Sequence, residues 1–231
     1  MQRKEVFDEK LEDTSTIMNI SLFGDWTKAY GGTVLRAEDA NDKLFTRRNV
    51  WFCLDDDIKR VETGFLERIP HLEELAIGLS VEEIGVSPEA DKLLHHNHVI
   101  VRGDFDTYAE EFAMQHHLGF LPMDFEIDRN GDSGTYPGLN VLTIEFYTKE
   151  VNLRMDNYCP GTSAGNYGGG TIDKKIPANF YKDPDAITKI AELSWGSFTP
   201  GILKCERLKN FIEKARKKYS ERKHNGLLIN Y

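Results

Sequence analysis

The chain has 231 residues, 40% of them apolar, enough for one large or two modest domains with a real core, and this excludes wholesale disorder. Its 29 basic and 38 acidic residues leave a net charge of −9, which argues against a counterion-releasing grip on nucleic acid or an anionic membrane and favours neutral or basic partners. No run approaches the roughly 20 apolar residues of a spanning helix, and the N-terminus lacks the apolar block of a signal peptide. The expectation is a cytoplasmic chain. Its three cysteines, Cys53, Cys159 and Cys205, form no CxxC pair, so neither a disulfide framework nor a cysteine zinc site is expected.

The first 45 residues are polar and irregular. Residues 2–12 fit a short charged helix with Val6, Phe7 and Leu11 on its apolar face, 17–23 reads as a strand, and Gly31-Gly32 as a turn. From residue 50 the chain repeats itself. At an offset of 23 residues, with Val50 laid on Glu73, Phe52 falls on Leu75, Leu54 on Ile77, Ile58 on Val81 and Val61 on Ile84. At an offset of 24 a third strand follows, Val99 and Val101 taking the places of Leu75 and Ile77. Alternation along these strands sends Phe52, Leu54, Leu75, Ile77, Val99 and Val101 inward. Trp51, Cys53, Glu74, Ala76, His98 and Ile100 then share the outer face.

Phe65 followed by His71-Leu-Glu-Glu-Leu-Ala-Ile-Gly-Leu-Ser-Val-Glu-Glu-Ile-Gly85 resembles the unit of the BspA-type family of bacterial leucine-rich repeats. That unit has a leucine, a short strand, a serine-valine step, an isoleucine-glycine step and a phenylalanine turn. The resemblance covers two units and a cap, residues 46–122, the cap being the strand, glycine and helix of Val99-Ile-Val-Arg-Gly-Asp-Phe-Asp-Thr-Tyr-Ala-Glu-Glu-Phe-Ala113. Gly78 stands where the family commonly has proline, and Pro88 where the second unit would have its phenylalanine. Stacking normally needs three or more units, so residues 1–45 are expected to cover the first repeat. In the cap, Asp106 or Thr107 is the expected N-cap of a helix over 108–117. Glu110 and Glu111 sit in its first turn, His116-His117 in its last, and Gly119 is the expected stop.

Past Pro122 the repeat is lost, and residues 123–231 read as a separate α+β unit. Strands over 123–127 and 140–147 flank a polar turn containing Asn130-Gly131, and a third strand runs over 151–155. Together they form an antiparallel meander in which Leu142, Ile144 and Phe146 share a face with Val151, Leu153 and Met155. Helices follow near 184–194 and 203–223. The second carries the stripe Leu208, Phe211, Ile212 and Ala215, which normally packs on a sheet.

The chemical motifs are weak. The Gly-rich stretch 159–170 follows a strand, and Gly165 and Gly170 have phosphate-loop spacing, but Thr171 stands where the lysine belongs, so a connector is the simpler reading. His95, His96 and His98, with the pair His116-His117, lack the partners that complete a zinc site. Asp128, Asn130 and Asp132 alternate like calcium ligands, yet Ser133 and Leu139 occupy positions that need Gly and Glu. Asp55-Asp-Asp57 reads as a solvated turn, and Arg102-Gly-Asp104 as the end of a strand rather than an adhesion ligand. No metal, cofactor or catalytic set is expected.

The resulting expectation is an α/β chain with a short leucine-rich-repeat-like solenoid and a C-terminal α+β unit. The resemblance implies an interaction module that binds a protein, with basic groups favoured by the acidic charge, through Trp51, Glu74, His98 and Ile100 on the outer strand face. An immunity or inhibitor-like role fits that charge. The alternative is an enzyme or small-ligand-binding protein using Ser163, Asn166 or Tyr167 in the Gly-rich loop.

Overall fold

The computed structural model describes residues 18–22, 34–40, 50–54, 58–128, 141–159, 168–196, 198–220 and 226–231. The expected helix over 2–12, the Gly31-Gly32 turn, Asp55-Asp-Asp57 and the calcium-like residues 129–140 lie outside them. The architecture is mixed α/β, with several sheets and five α-helices among the described residues. The chain divides into two compact units: residues 1–119 with Tyr231, and residues 120–230.

Unit 1 contains β1 (Met18–Leu22), β2 (Val34–Leu35), β3 (Val50–Leu54), β4 (Arg60–Val61), β5 (Leu72–Ile77) and β6 (Glu83–Ile84), then α1 (Pro88–His96), β7 (Ile100–Gly103) and α2 (Tyr108–Gln115). Among the described residues its strands pair in parallel and form two ladders, β1-β3-β5-β7 and β2-β4-β6. The first half of each repeat feeds one ladder and the second half feeds the other. Bonds in the intervening turns continue the pattern: Gly78 N–H donates to Leu54 O at 2.8 Å, Glu82 to Lys59 O at 2.7 Å and Gly85 to Val61 O at 2.8 Å.

The offset of 23 holds from Trp51 onward, since Phe52 pairs with Leu75, Leu54 with Ile77 and Val61 with Ile84, whereas Val50 pairs with Leu72 rather than Glu73. Ile58 and Val81 are buried at the matching turn positions. The segment before residue 45 adds a strand to each ladder, Ile20 pairing with Phe52 and Leu35 with Val61. The third expected strand needs a correction of two residues, because Leu75 pairs with Val101 rather than Val99. The cause is α1, which replaces the short turn of the earlier units and lengthens the connection. All six side chains expected inside are nevertheless buried, at 2% exposure or less.

Two glycines mark close approaches in unit 1 that a side chain would block. A Cβ on Gly85 would lie 2.5 Å from Thr63 Oγ1 and 2.6 Å from its backbone nitrogen, so the isoleucine-glycine step lets consecutive turns stack. On Gly103 a Cβ would lie 2.2 Å from that of Ala109, and its absence lets α2 close against β7. The same helix finishes the second ladder. Ile84 on its last strand donates its N–H at 2.8 Å to the Tyr108 hydroxyl, which takes the acceptor place of a missing neighbour.

Each helix of unit 1 turns into a strand through a histidine. His98 and His117 have φ of 52° and 51°, and the bonds His98 N–H to His95 O with Val99 N–H to Leu94 O recur as His117 to Met114 and Leu118 to Ala113. These are Schellman closures with histidine at the left-handed position. Gly119, the expected stop, instead opens the next strand. At the start of α2, Thr107 is the N-cap residue, but its hydroxyl donates back to Asp104 O at 2.6 Å. The buried Glu110 carboxylate takes over, accepting the Asp106 N–H at 2.8 Å and the Tyr231 hydroxyl.

Unit 2 carries β8 (Gly119–Pro122), which neighbours the C-terminal strand β13 (Ile229–Asn230), and a four-stranded antiparallel meander. Its strands are β9 (Phe125–Asp128), β10 (Val141–Phe146), β11 (Glu150–Cys159) and β12 (Gly168–Pro177). The expected face is present in register: Leu142 opposite Met155, Ile144 opposite Leu153 and Phe146 opposite Val151, all fully buried. β12 is the strand sequence missed, and Cys159 pairs with Gly168, so glycines 168–170 belong to a strand. That pairing removes the phosphate-loop reading, because Gly170 stands opposite Asn157 in the ladder. Lys174 and Pro177 on this edge strand discourage further pairing.

After β12 come α3 (Ala186–Leu193), a short helix α4 (Thr199–Lys204) that the sequence reading lacked, and α5 (Glu206–Ser220). The stripe on α5 packs as expected: Phe211 lies 4.8 Å from Phe146 and 5.1 Å from Phe125, centroid to centroid, in an aromatic cluster with Phe180. Arg216, in the basic run, turns inward and donates to the carbonyls of Tyr181 and Asp183.

Tyr181 is buried against Tyr219, its hydroxyl has no hydrogen-bond partner, and burial pushes its pKa up. Tyr181→Phe is therefore expected to leave unit 2 as stable or raise its stability by about 1 kcal/mol, read by urea denaturation, since an unsatisfied buried hydroxyl costs that order. Burial likewise raises Tyr108. A raised folded pKa means the folded form holds its proton longer, so this contribution is complete below about pH 10 and is lost above it. Denaturation midpoints should fall above that pH, and less steeply in Tyr108→Phe.

Candidate interaction face

The ladder fixes which side chains stand level on the outward side of β3, β5 and β7. Trp51 pairs with Glu74 and Glu74 with Ile100, placing these three expected contact residues in one row. Cys53, Ala76 and Arg102 form the adjacent row. In β1, Asn19 pairs with Trp51 and Ser21 with Cys53 along the backbone. A bulge at Val50/Trp51 sets this phase: Val50 pairs with Leu72 and Trp51 with Glu74, leaving Glu73 over and turning Glu74 to the side of Trp51. His98, the fourth expected residue, lies in the turn before β7 and is exposed, two positions ahead of the row.

Arg102 is the residue the sequence reading passed over. Its Nε donates to Glu74 Oε2 at 2.5 Å and a terminal nitrogen to Oε1 at 3.4 Å, a forked pair across neighbouring strands. The side chains are only 10% and 15% exposed, so the pair is largely removed from water. Trp51, Cys53, Glu74, Ala76 and Ile100 are half-buried. The row thus presents an aromatic and an aliphatic side chain on either side of a carboxylate held by a guanidinium. The signal in the sequence is alternation, which puts Arg102 on this face two residues beyond Ile100.

Ser163, Asn166 and Tyr167 lie outside the described residues. His116 Nδ1 sits 2.9 Å from Asp91 Oδ1, linking the end of α2 to α1, and within α1 His95 Nε2 lies 3.8 Å from Asp91 Oδ2. Among the described residues no group of three His, Cys, Asp or Glu side chains is placed to hold a metal ion. Neither Cys53 nor Cys205 is in a disulfide. No described helix is long and apolar enough to cross a membrane. No protein-family model, curated protein or solved structure matches the chain.

Glu74→Leu strips the carboxylate from a largely desolvated Arg102 and is expected to destabilise unit 1 by roughly 2–4 kcal/mol in chemical denaturation. The double variant with Arg102→Leu should recover most of that loss, because a desolvated pair replaced on both sides costs little.

Proposed function

We propose that unit 1 is a short leucine-rich-repeat-like solenoid that serves as a protein-recognition module, with the row Trp51, Glu74 and Ile100 as the centre of its binding face. The observation that carries this reading is the level pairing of those three residues across β3, β5 and β7. Parallel strands held in register present alternate side chains on a rigid surface, and rigid surfaces lose little entropy when they bind. Aromatic and arginine side chains near the centre of a patch are the usual anchors of such interfaces.

The partner is a protein with basic groups, favoured by a chain carrying −9 overall. Glu74 is engaged by Arg102, so charge attraction in this reading comes from the wider acidic surface, and the row supplies apolar contact.

The test is capture of partners from source cells by the immobilised full chain, followed by titration of the retained protein. Trp51→Ala and Ile100→Ala should each weaken binding by at least about tenfold, the size expected of anchor residues, while Leu79→Ala, at an exposed turn off the row, leaves it unchanged. Retention of nothing, or equal retention by wild type and Trp51→Ala, would refute the module.

A further inference from the structure

Unit 2 holds a cavity of ≈ 330 Å³ between the end of β12, the turn at 178–185 and α3. Its walls are Ile176, Pro177, Phe180, Ala186, Ile190 and Leu193. Asn179, Asp183 and Lys189 supply its polar part, so an apolar chamber meets one carboxylate and one ammonium side by side. The size lies at the small end of the roughly 300–1,000 Å³ range of ligand pockets, which sets the occupant at amino-acid rather than nucleotide scale.

The charged pair is built to stay charged and oriented. The Asp185 N–H donates at 2.9 Å to Asp183 Oδ1, which fixes the carboxylate, and Lys189 Nζ donates to Oδ2. Hydrogen bonding from Lys189 holds the Asp183 carboxyl below the ordinary carboxylate range, and Asp183 in turn raises the Lys189 ammonium. Both ions are present across neutral pH. The Lys189 side chain is 59% exposed and that of Asp183 28%. Exposed pairs of this kind contribute little, so a ligand can separate them at little cost.

We infer that this cavity binds a small zwitterion with an apolar body, a large apolar α-amino acid being the simplest case. The side chain enters the Ile176, Phe180, Ile190 and Leu193 chamber, the ligand carboxylate meets Lys189, and the ligand ammonium meets Asp183. One exposed ion pair is exchanged for two, and the apolar body leaves water. The inference is independent of the recognition face in unit 1.

The test is methyl-detected NMR of the full chain titrated with L-phenylalanine. Saturable shifts are expected at the methyl groups of Ile176, Ala186, Ile190 and Leu193. Lys189→Met and Asp183→Asn should each weaken binding more than about threefold, as should replacing the ligand by 3-phenylpropionate, which lacks the ammonium, or phenethylamine, which lacks the carboxylate. The two single-charge analogues are read on wild-type protein, so that arm stands whatever the variants do to folding. The inference is overturned by no saturable shift up to ~10 mM, by shifts centred elsewhere, or by affinity within threefold for either variant or either analogue.

Discussion

Parallel pairing at a fixed phase is the constraint on which unit 1 depends. In a parallel ladder every strand must be brought back to the same edge, and here each return passes through a second, shorter ladder. The apolar positions of one repeat therefore fall beside those of the next in both ladders. Phe52, Leu75 and Val101 stack in one, Leu35, Val61 and Ile84 in the other, and none is more than 6% exposed. The ring of Phe65 fills the space beside Phe52 at 5.5 Å. A strand slipped by one residue would exchange this buried set for the outward set, placing Glu74 and Arg102 in the interior. The same phase that makes the core thus defines the outer face.

Such a stack must also be finished where its repeats stop. Ile84 would leave an unpaired donor at the end of the second ladder, and Tyr108 accepts it. Ala109 needs contact with the sheet, and Gly103 concedes the space. The exposed pairs Arg60–Glu83 at 3.1 Å and Lys59–Glu82 at 3.9 Å line the turns between strands, where ions in water add little and the backbone bonds carry the structure.

The legible parts of the sequence were those governed by periodicity. An offset of 23 predicted which side chains meet across most of β3 and β5, and alternation predicted the apolar face that β10 and β11 share. Where a connection changed length, the prediction slipped: α1 moved the third strand by two positions. β12 escaped because its strand pattern is broken by three glycines and by Lys174 standing opposite the buried Leu153. An edge strand needs no continuous apolar face, so it leaves no clear trace. The left-handed histidines escaped for a related reason, since histidine carries no strong signal for that conformation whereas Gly119 two residues later does.

Arg102 shows what periodicity alone leaves out. Reading alternate positions assigns a residue to a face but says nothing of what that face requires. A carboxylate at Glu74, flanked by Trp51 and Ile100 and largely shielded from water, would be costly alone, and the guanidinium beside it makes the charge tolerable. The forked geometry matters as much as the charge, because it ties β5 to β7 through side chains on the face opposite the core. Replacing it by lysine would keep the sign and lose the fork. The row consequently has a fixed centre, because the fork holds Glu74 against Arg102 between Trp51 and Ile100.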